Sequence, residues 1–266
     1  MFQIAEEQKE TVRQMFGETP EANIHLILAT VANQKEWVAE LIKDGTDPDQ
    51  PDVAGTTALM WACTEQNNWD TFELLLSNTK GLDAKNSLDQ TALMLSIQNG
   101  ELQKAMALLK QGASPNIGNL YGESPLCFAM CLGRTSFIEP LGRAGADLQG
   151  QDSHGIPHWK RAIHEDQEAS LIEWLSAGGD PNSKDSEGTS LLSFAAEAGM
   201  MDAVTLVLSR LDQVSVDMID WETTLSVATP PIIDLLLQWK RAFEFQKKLR
   251  KIQPSPLEET EELRKF

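Results

Sequence analysis

The residues of this chain that could do chemistry are few, and their spacing argues against most reactions. His154, His158 and His164 lie close in sequence, but they fit no zinc pattern and no cysteine pair lies beside them, so no metal is expected. Cys127 and Cys131 are four apart and share one face of a helix. No histidine is placed to activate either thiol, so neither is expected to be a nucleophile. The neighbouring Glu165 and Asp166 read as a solvated helix face rather than an acid–base pair. No glycine-rich loop stands where it could cradle a phosphate. The expectation is therefore no catalytic residue, no metal and no cofactor.

Composition narrows the field further. The chain has 266 residues, 41% hydrophobic and 23% charged, enough for a sizeable core. Its formal charge is −18 and unevenly spread: residues 239–251 carry six Lys/Arg and one Glu, residues 252–266 carry −2, and residues 1–238 hold −21. A body this negative repels phosphate backbones, which argues against nucleic acid and for a basic partner. Three cysteines make no disulfide framework and point to a reducing compartment. No apolar run approaches a transmembrane length. Ile24–Ala32 resembles a signal core, but the charged residues before it are mostly acidic, the wrong sign for a leader. The expected location is cytoplasmic, or periplasmic if the chain is a processed mature form.

The elements that position these residues follow from an internal repeat. Thr57, Thr91, Ser124, Pro157, Ser190 and Thr223 are spaced 34, 33, 33, 33 and 33 residues apart. Each Thr or Ser precedes a small apolar run, as an N-cap does, and Pro125 suits a first helical turn. Ala62, Ala129, Ala162 and Ala195 recur five residues after their anchors, where two helices must approach closely. Gly100, Gly133 and Gly199 fall where the first helix of a unit must stop, and Gly45, Gly112, Gly145 and Gly178 end the second. Each unit reads as helix, turn, helix, extended loop, and such units stack to bury their apolar faces.

The segment GESPLCFAMCLGRTSFIEPLGRAGADLQ resembles an ankyrin repeat. The resemblance implies an all-α solenoid of stacked helix-turn-helix units with short hairpin-like loops and capping helices. The expected layout is a capping helix over 1–21, repeats over 22–240 anchored near 24, 57, 91, 124, 157, 190 and 223, and, over 241–266, the basic end of a C-terminal helix followed by a mobile acidic tail. Several units depart from the pattern: the first has Ala22 in place of the tip glycine, the fifth, anchored at Pro157, has lost its Thr-Pro-Leu opening and has Asp166 in place of glycine, and in the seventh Trp221 occupies a tip glycine position.

In the family, partners bind to the loop tips and the concave face of the first helices. Carried onto this chain, the tip residues are Leu88, Gln90, Leu120, Tyr121, Glu123, His154, Ile156 and Glu187, and the first-helix residues are Glu65, Asn99, Leu132, His164 and Glu165. Tyr121, the chain's one tyrosine, reads as an anchor for a partner or as packing on the next tip. Leu88, Leu120, Tyr121, Leu132 and Ile156 read as one apolar patch or as scattered surface residues. Trp61, Phe128 and Phe194, each four residues after its anchor, are expected in the core, and Trp159 and Trp174 are expected to fill the irregular Pro157 unit. Trp221 implies either a remodelled tip or an indole displayed to a partner. The basic helix Trp239–Lys251 contacts an acidic surface or simply neutralises the acidic body.

The resulting expectation is a non-enzymatic protein that binds a basic protein partner, as an inhibitor or immunity protein of an enzyme or toxin, or as an adaptor; the alternative is a host-directed effector or scaffold. An appended catalytic domain is not expected, since about 22 residues precede the repeats and about 26 follow them.

Overall fold

The computed structural model describes residues 21–211 and 213–252. All but Glu21 of the expected N-terminal capping helix, and the acidic tail from residue 253, lie outside the described residues. The chain divides into two compact units, residues 1–158 and 159–266.

The first unit contains helix pairs in which a short first helix is followed by an antiparallel second. They are α1 (Glu21–Val31) with α2 (Lys35–Lys43), α3 (Ala58–Thr64) with α4 (Trp69–Asn78), and α5 (Ala92–Asn99) with α6 (Leu102–Gln111). The last is α7 (Pro125–Cys131) with a 3-10 turn, Thr135–Phe137, that leads into α8 (Ile138–Arg143). First helices pack on first helices, in the order α1, α3, α5 and α7, while α2 packs on α4 and α4 on α6. The second unit contains α9 (His158–His164), which begins one residue before the division, α10 (Glu168–Ser176), α11 (Leu191–Glu197), α12 (Met201–Arg210), α13 (Gln213–Asp217), α14 (Trp221–Val227) and the long α15 (Pro230–Ile252). No strand occurs among the described residues, only isolated bridges Gln151–Pro157 and Lys184–Ser190.

Local chemistry explains the helix starts. The hydroxyls of Thr57, Thr91, Ser124 and Ser190 accept the backbone N–H of Met60, Met94, Cys127 and Ser193, at 3.3, 3.4, 3.2 and 3.1 Å. Each cap satisfies one of the N–H groups that a helix leaves without an internal partner. Ala62, Ala129, Ala162 and Ala195 are fully buried, as a close helix–helix approach requires. Asp166 takes φ 55°, so the backbone keeps its left-handed turn without glycine.

Two expected registers shift. Residue 24 starts no helix: α1 is already helical at Glu21, and Asn23 lies inside it with its Nδ2 on the Gln50 carbonyl at 3.1 Å. Nor does Thr223 cap α14. Asp220 does so, its Oδ1 accepting the Thr223 N–H at 3.1 Å, because an Asp three residues upstream offers a stronger acceptor and lets the helix start at Trp221. The tip expected there is replaced by α13 and the start of α14, which places Trp221 half-buried at a helix start.

Candidate protein-binding face

The connections between helix pairs are hairpin loops built around one side chain. Five residues before an anchor stands an Asp or Asn whose Oδ1 accepts two backbone N–H groups of its own loop. Asp52 accepts from Ala54 and Thr56 at 2.9 and 2.8 Å, Asn86 from Leu88 and Gln90 at 2.9 and 2.9 Å, and Asn119 from Tyr121 and Glu123 at 2.9 and 3.1 Å. Asp152 holds His154 and Ile156 at 2.8 and 3.0 Å, and in the second unit Asp185 holds Glu187 and Thr189 at 3.0 and 2.9 Å. These Asx loops prearrange each tip. Three of the five are carboxylates, so part of the chain's acidity serves the scaffold. This position was legible, since it recurs five residues before Thr57, Thr91, Ser124, Pro157 and Ser190, but its alternation between Asp and Asn hid it.

In the first unit successive tips are joined by backbone hydrogen bonds. Ser87 donates to Ala54 at 2.7 Å, Leu120 to Leu88 at 3.2 Å and Ser153 to Tyr121 at 3.0 Å. The spacing is tight at Gly122, where an added Cβ would stand 2.4 Å from the Ser153 nitrogen. The backbone polar groups that face the neighbouring tip are thereby occupied, and the side chains project outward. Val53, Leu88, Leu120 and Tyr121 are 58%, 53%, 55% and 60% exposed. They form a run of apolar groups along adjacent tips. Tyr121 therefore does not pack away against its neighbour.

The other tip residues divide. His154 is exposed and Ile156 half-buried. Gln90 is only 9% exposed and its Nε2 donates to Gln98 Oε1 at 3.4 Å, so it braces the loop against α5. Glu123 is half-buried, with its carboxylate accepting the Asn119 side-chain amide at 2.8 Å. In the second unit Glu187 is exposed.

The first helices add a stripe below the tips. Leu132 is exposed; Glu65 and Asn99 are half-buried, and Asn99 turns its amide onto the Leu95 carbonyl at 2.8 Å. Contrary to expectation, Trp61, Phe128 and Phe194 are not core residues but half-buried. Helical geometry gives the reason: the positions four, seven and eight after an anchor lie on one face, because residues three and four apart are neighbours on a helix. In α3 the buried residues are Ala58, Leu59, Met60, Ala62 and Cys63, while Trp61, Thr64 and Glu65 form the outward stripe. Trp61 also has an N–H to satisfy, and its Nε1 donates to Asp52 Oδ2 at 3.0 Å, under the tip. The 3.6-residue period was in the sequence; the resemblance drew these aromatics inward instead.

The second unit has its own cluster on this stripe. Phe194 is half-buried with Lys160 Nζ 4.3 Å from its ring centre, Trp159 5.8 Å and His164 6.5 Å away, centre to centre. His164 and Glu165 are exposed. Lys160 Nζ also meets Asp185 Oδ2 at 2.6 Å. Burial disfavours the Asp185 carboxylate, but hydrogen bonds from Lys160, Thr189 and Glu187 and the lysine charge outweigh it and hold its pKa below the ordinary value. Trp159 and Trp174 are buried as expected. On α15, Lys247 Nζ contacts both Asp217 oxygens at 2.8 Å and Lys240 Nζ lies 5.9 Å from the Trp221 ring centre.

Among the described residues no three His, Cys, Asp or Glu side chains gather as a metal site, and no helix is long and apolar enough to cross a membrane. Cys63 is fully buried, and burial pushes its thiol pKa up to about 12, which removes it as a nucleophile at neutral pH.

Known proteins share this pattern. The family model "Ankyrin repeats (3 copies)" matches residues 1–86 and 65–152, more than half of the chain. Tyrosine-protein kinase Shark of Drosophila melanogaster is 33% identical over 162 residues, 60% of this chain and 17% of that protein. E3 ubiquitin-protein ligase KEG of Arabidopsis thaliana is 30% identical over 134 residues, 48% of this chain and 8% of its own length. The chain thus spans less than a fifth of either relative. Capped helix pairs at a 33-residue interval, hairpins between them and the match over residues 1–152 have one meaning: the chain belongs to the ankyrin-repeat family, whose repeats form modules for protein–protein interaction.

Proposed function

We propose that this protein is a non-enzymatic binding module, with seven repeats over residues 22–240, that holds a protein partner on its tips and first-helix stripe. The observation that carries this is the run of exposed Val53, Leu88, Leu120 and Tyr121 on tips whose backbones are already tied together. A rigid scaffold presenting large apolar side chains loses little entropy when a partner covers them. Tyrosine is an especially efficient anchor of this kind. The −21 charge of residues 1–238 favours a partner with a basic surface around an apolar centre. Electrostatics then speeds encounter, while the apolar anchors hold the complex.

An inhibitor or immunity protein for a basic enzyme fits this combination best, because covering a basic active-site rim uses both the acidity and the apolar patch. An adaptor is the second use, favoured by Phe245, which is 62% exposed beside Arg241 and Lys248 on the basic end of α15 and offers a separate acidic-surface contact. Affinity capture from the native source with intact chain and with the Leu88→Ala/Tyr121→Ala variant, read by mass spectrometry, tests the face. A partner retained equally by both overturns the assignment. Association kinetics with that partner at 50 and 300 mM salt then test steering: a rate that falls steeply with salt supports it, and a flat rate removes it.

A further inference from the structure

The tip Asp185–Thr189, in the second unit, is built like those of the first, but no further tip follows it. Asp185 Oδ1 accepts the N–H groups of Glu187 and Thr189 at 3.0 and 2.9 Å. Gly188 takes φ 85°, against 75° and 73° for Gly55 and Gly122. In the first unit the carbonyl two residues after the Asx side chain accepts an N–H of the neighbouring tip: Ala54 from Ser87, Leu88 from Leu120 and Tyr121 from Ser153. Glu187 is the equivalent residue, and among the described residues no donor reaches its carbonyl oxygen. A Cβ on Gly55 or Gly122 would meet the next tip at 3.1 or 2.4 Å, whereas one on Gly188 would meet no other part of the chain within 4 Å.

Where a further tip would stand, α13 and the start of α14 take another path and leave a cavity of about 200 Å³. Glu187 and Gly188 line it together with Met218, Ile219 and Asp220. It has room for a side chain, not for a folded element, and Met218, 64% exposed, keeps it open to solvent.

Chemistry identifies the occupant. The first-unit tips show what satisfies such a carbonyl: the backbone N–H of another extended stretch of chain. A helix cannot supply it past its first turn, because its N–H groups are used internally. An extended segment can, and it turns alternate side chains to opposite sides, so one of them can enter the cavity. Main-chain hydrogen bonds then give affinity and the cavity gives selectivity. Met218 and Ile219 suit an apolar side chain there. Around them Glu187 and Asp220 outnumber Lys184, which favours a Lys or Arg beside the seated residue.

We propose that an extended segment of a protein partner, with a basic residue next to an apolar one, adds to the Asp185–Thr189 tip at Glu187 and fills the cavity with the apolar side chain. This rests on the protein-binding reading above and names the kind of chain that the second unit takes.

The probe is a display library of linear peptides, first depleted on Gly188→Ala, whose methyl group would stand where the segment runs, and then panned on the full parent chain. Peptides with adjacent apolar and basic residues should survive depletion and bind the parent at least tenfold more tightly than Gly188→Ala. On binding, the carbonyl carbon resonance of Glu187 should move downfield, and N-methylation at one peptide amide should cost about tenfold in affinity, the scale of one backbone hydrogen bond. Glu187→Lys, a change at an exposed side chain, should weaken the same peptides about tenfold with an unchanged circular dichroism spectrum. Should Gly188→Ala lose its fold, Glu187→Lys replaces it in the depletion step. No surviving peptide, a methylation scan without a sensitive amide, a helical bound peptide, or full affinity in Glu187→Lys would each overturn the proposal. Such a failure leaves the first-unit face standing, because that face is read by Leu88→Ala/Tyr121→Ala.

Discussion

The backbone N–H of Leu120 donates to the carbonyl oxygen of Leu88 at 3.2 Å, so two exposed leucines sit on one hydrogen-bonded step between adjacent tips. The main chain supplies the join and the side chains take no part in it. Leu88→Ala combined with Tyr121→Ala should therefore leave the thermal midpoint within about 2 °C of the parent. Partner affinity should fall by about 2–4 kcal/mol, the scale of interface anchors. Calorimetric binding and a thermal scan on the same samples check both halves.

Gly122 and Gly155 occupy equivalent tip positions with φ of 73° and 75°, but their surroundings differ. A Cβ on Gly122 would press on the Ser153 backbone at 2.4 Å, while one on Gly155 would meet nothing closer than 3.9 Å. Gly155→Ala should cost only the left-handed backbone penalty of about 1–2 kcal/mol. Gly122→Ala should cost at least about 1 kcal/mol more, because two backbones must separate. Urea midpoints of the two variants rank them; equal midpoints would contradict the tight join.

Lys104 is 2% exposed, yet its ammonium is well partnered. Nζ donates to the Ala62 carbonyl at 3.0 Å and to the Glu65 carbonyl, and lies 3.4 Å from Glu101 Oε2. A cation from α6 thus satisfies carbonyls at the C-terminal end of α3 and complements the helix dipole there. Lys104→Ala leaves those carbonyls buried without a donor, and a loss of about 2–4 kcal/mol is expected. Denaturant unfolding measures it; Lys104→Arg should recover part of the loss if a cation is what matters.

Asp185 links stability to acid. Its folded pKa is depressed, so its contribution is complete above the unfolded carboxyl value of about 3.9 and is lost as pH falls through the lower folded value. Asp185→Asn should be less stable than the parent at pH 6, and the gap should close as pH drops below about 4. Urea unfolding at pH 6 and pH 3 gives the comparison. A gap that stays constant would show that Lys160 and the loop N–H groups do not depend on the carboxylate's charge.

Much of the architecture was readable from local signals. N-cap hydroxyls at Thr57, Thr91, Ser124 and Ser190, the buried alanines and the stop glycines are each set by the backbone geometry of one helix or turn. A fixed interval then suffices to order them. The exposed tips Leu88, Leu120 and Tyr121 were readable for the same reason: a residue in the middle of a two-helix connection has little chain nearby to cover it.

Other features depend on what stands opposite a residue, and one chain position does not carry that. Trp61 leans outward because Asp52 offers its indole an acceptor, and Gln90 turns inward to meet Gln98. Lys104 is buried because α3 ends beside it with carbonyls that lack a helical partner. The sequence by itself determined which segments are helices and where they turn, since capping and steric rules act within a few residues. Only tertiary structure decided which polar and aromatic side chains are covered, because that turns on what the folded chain sets opposite each one, as the Lys104 ammonium on the carbonyl of Ala62 from another helix pair does.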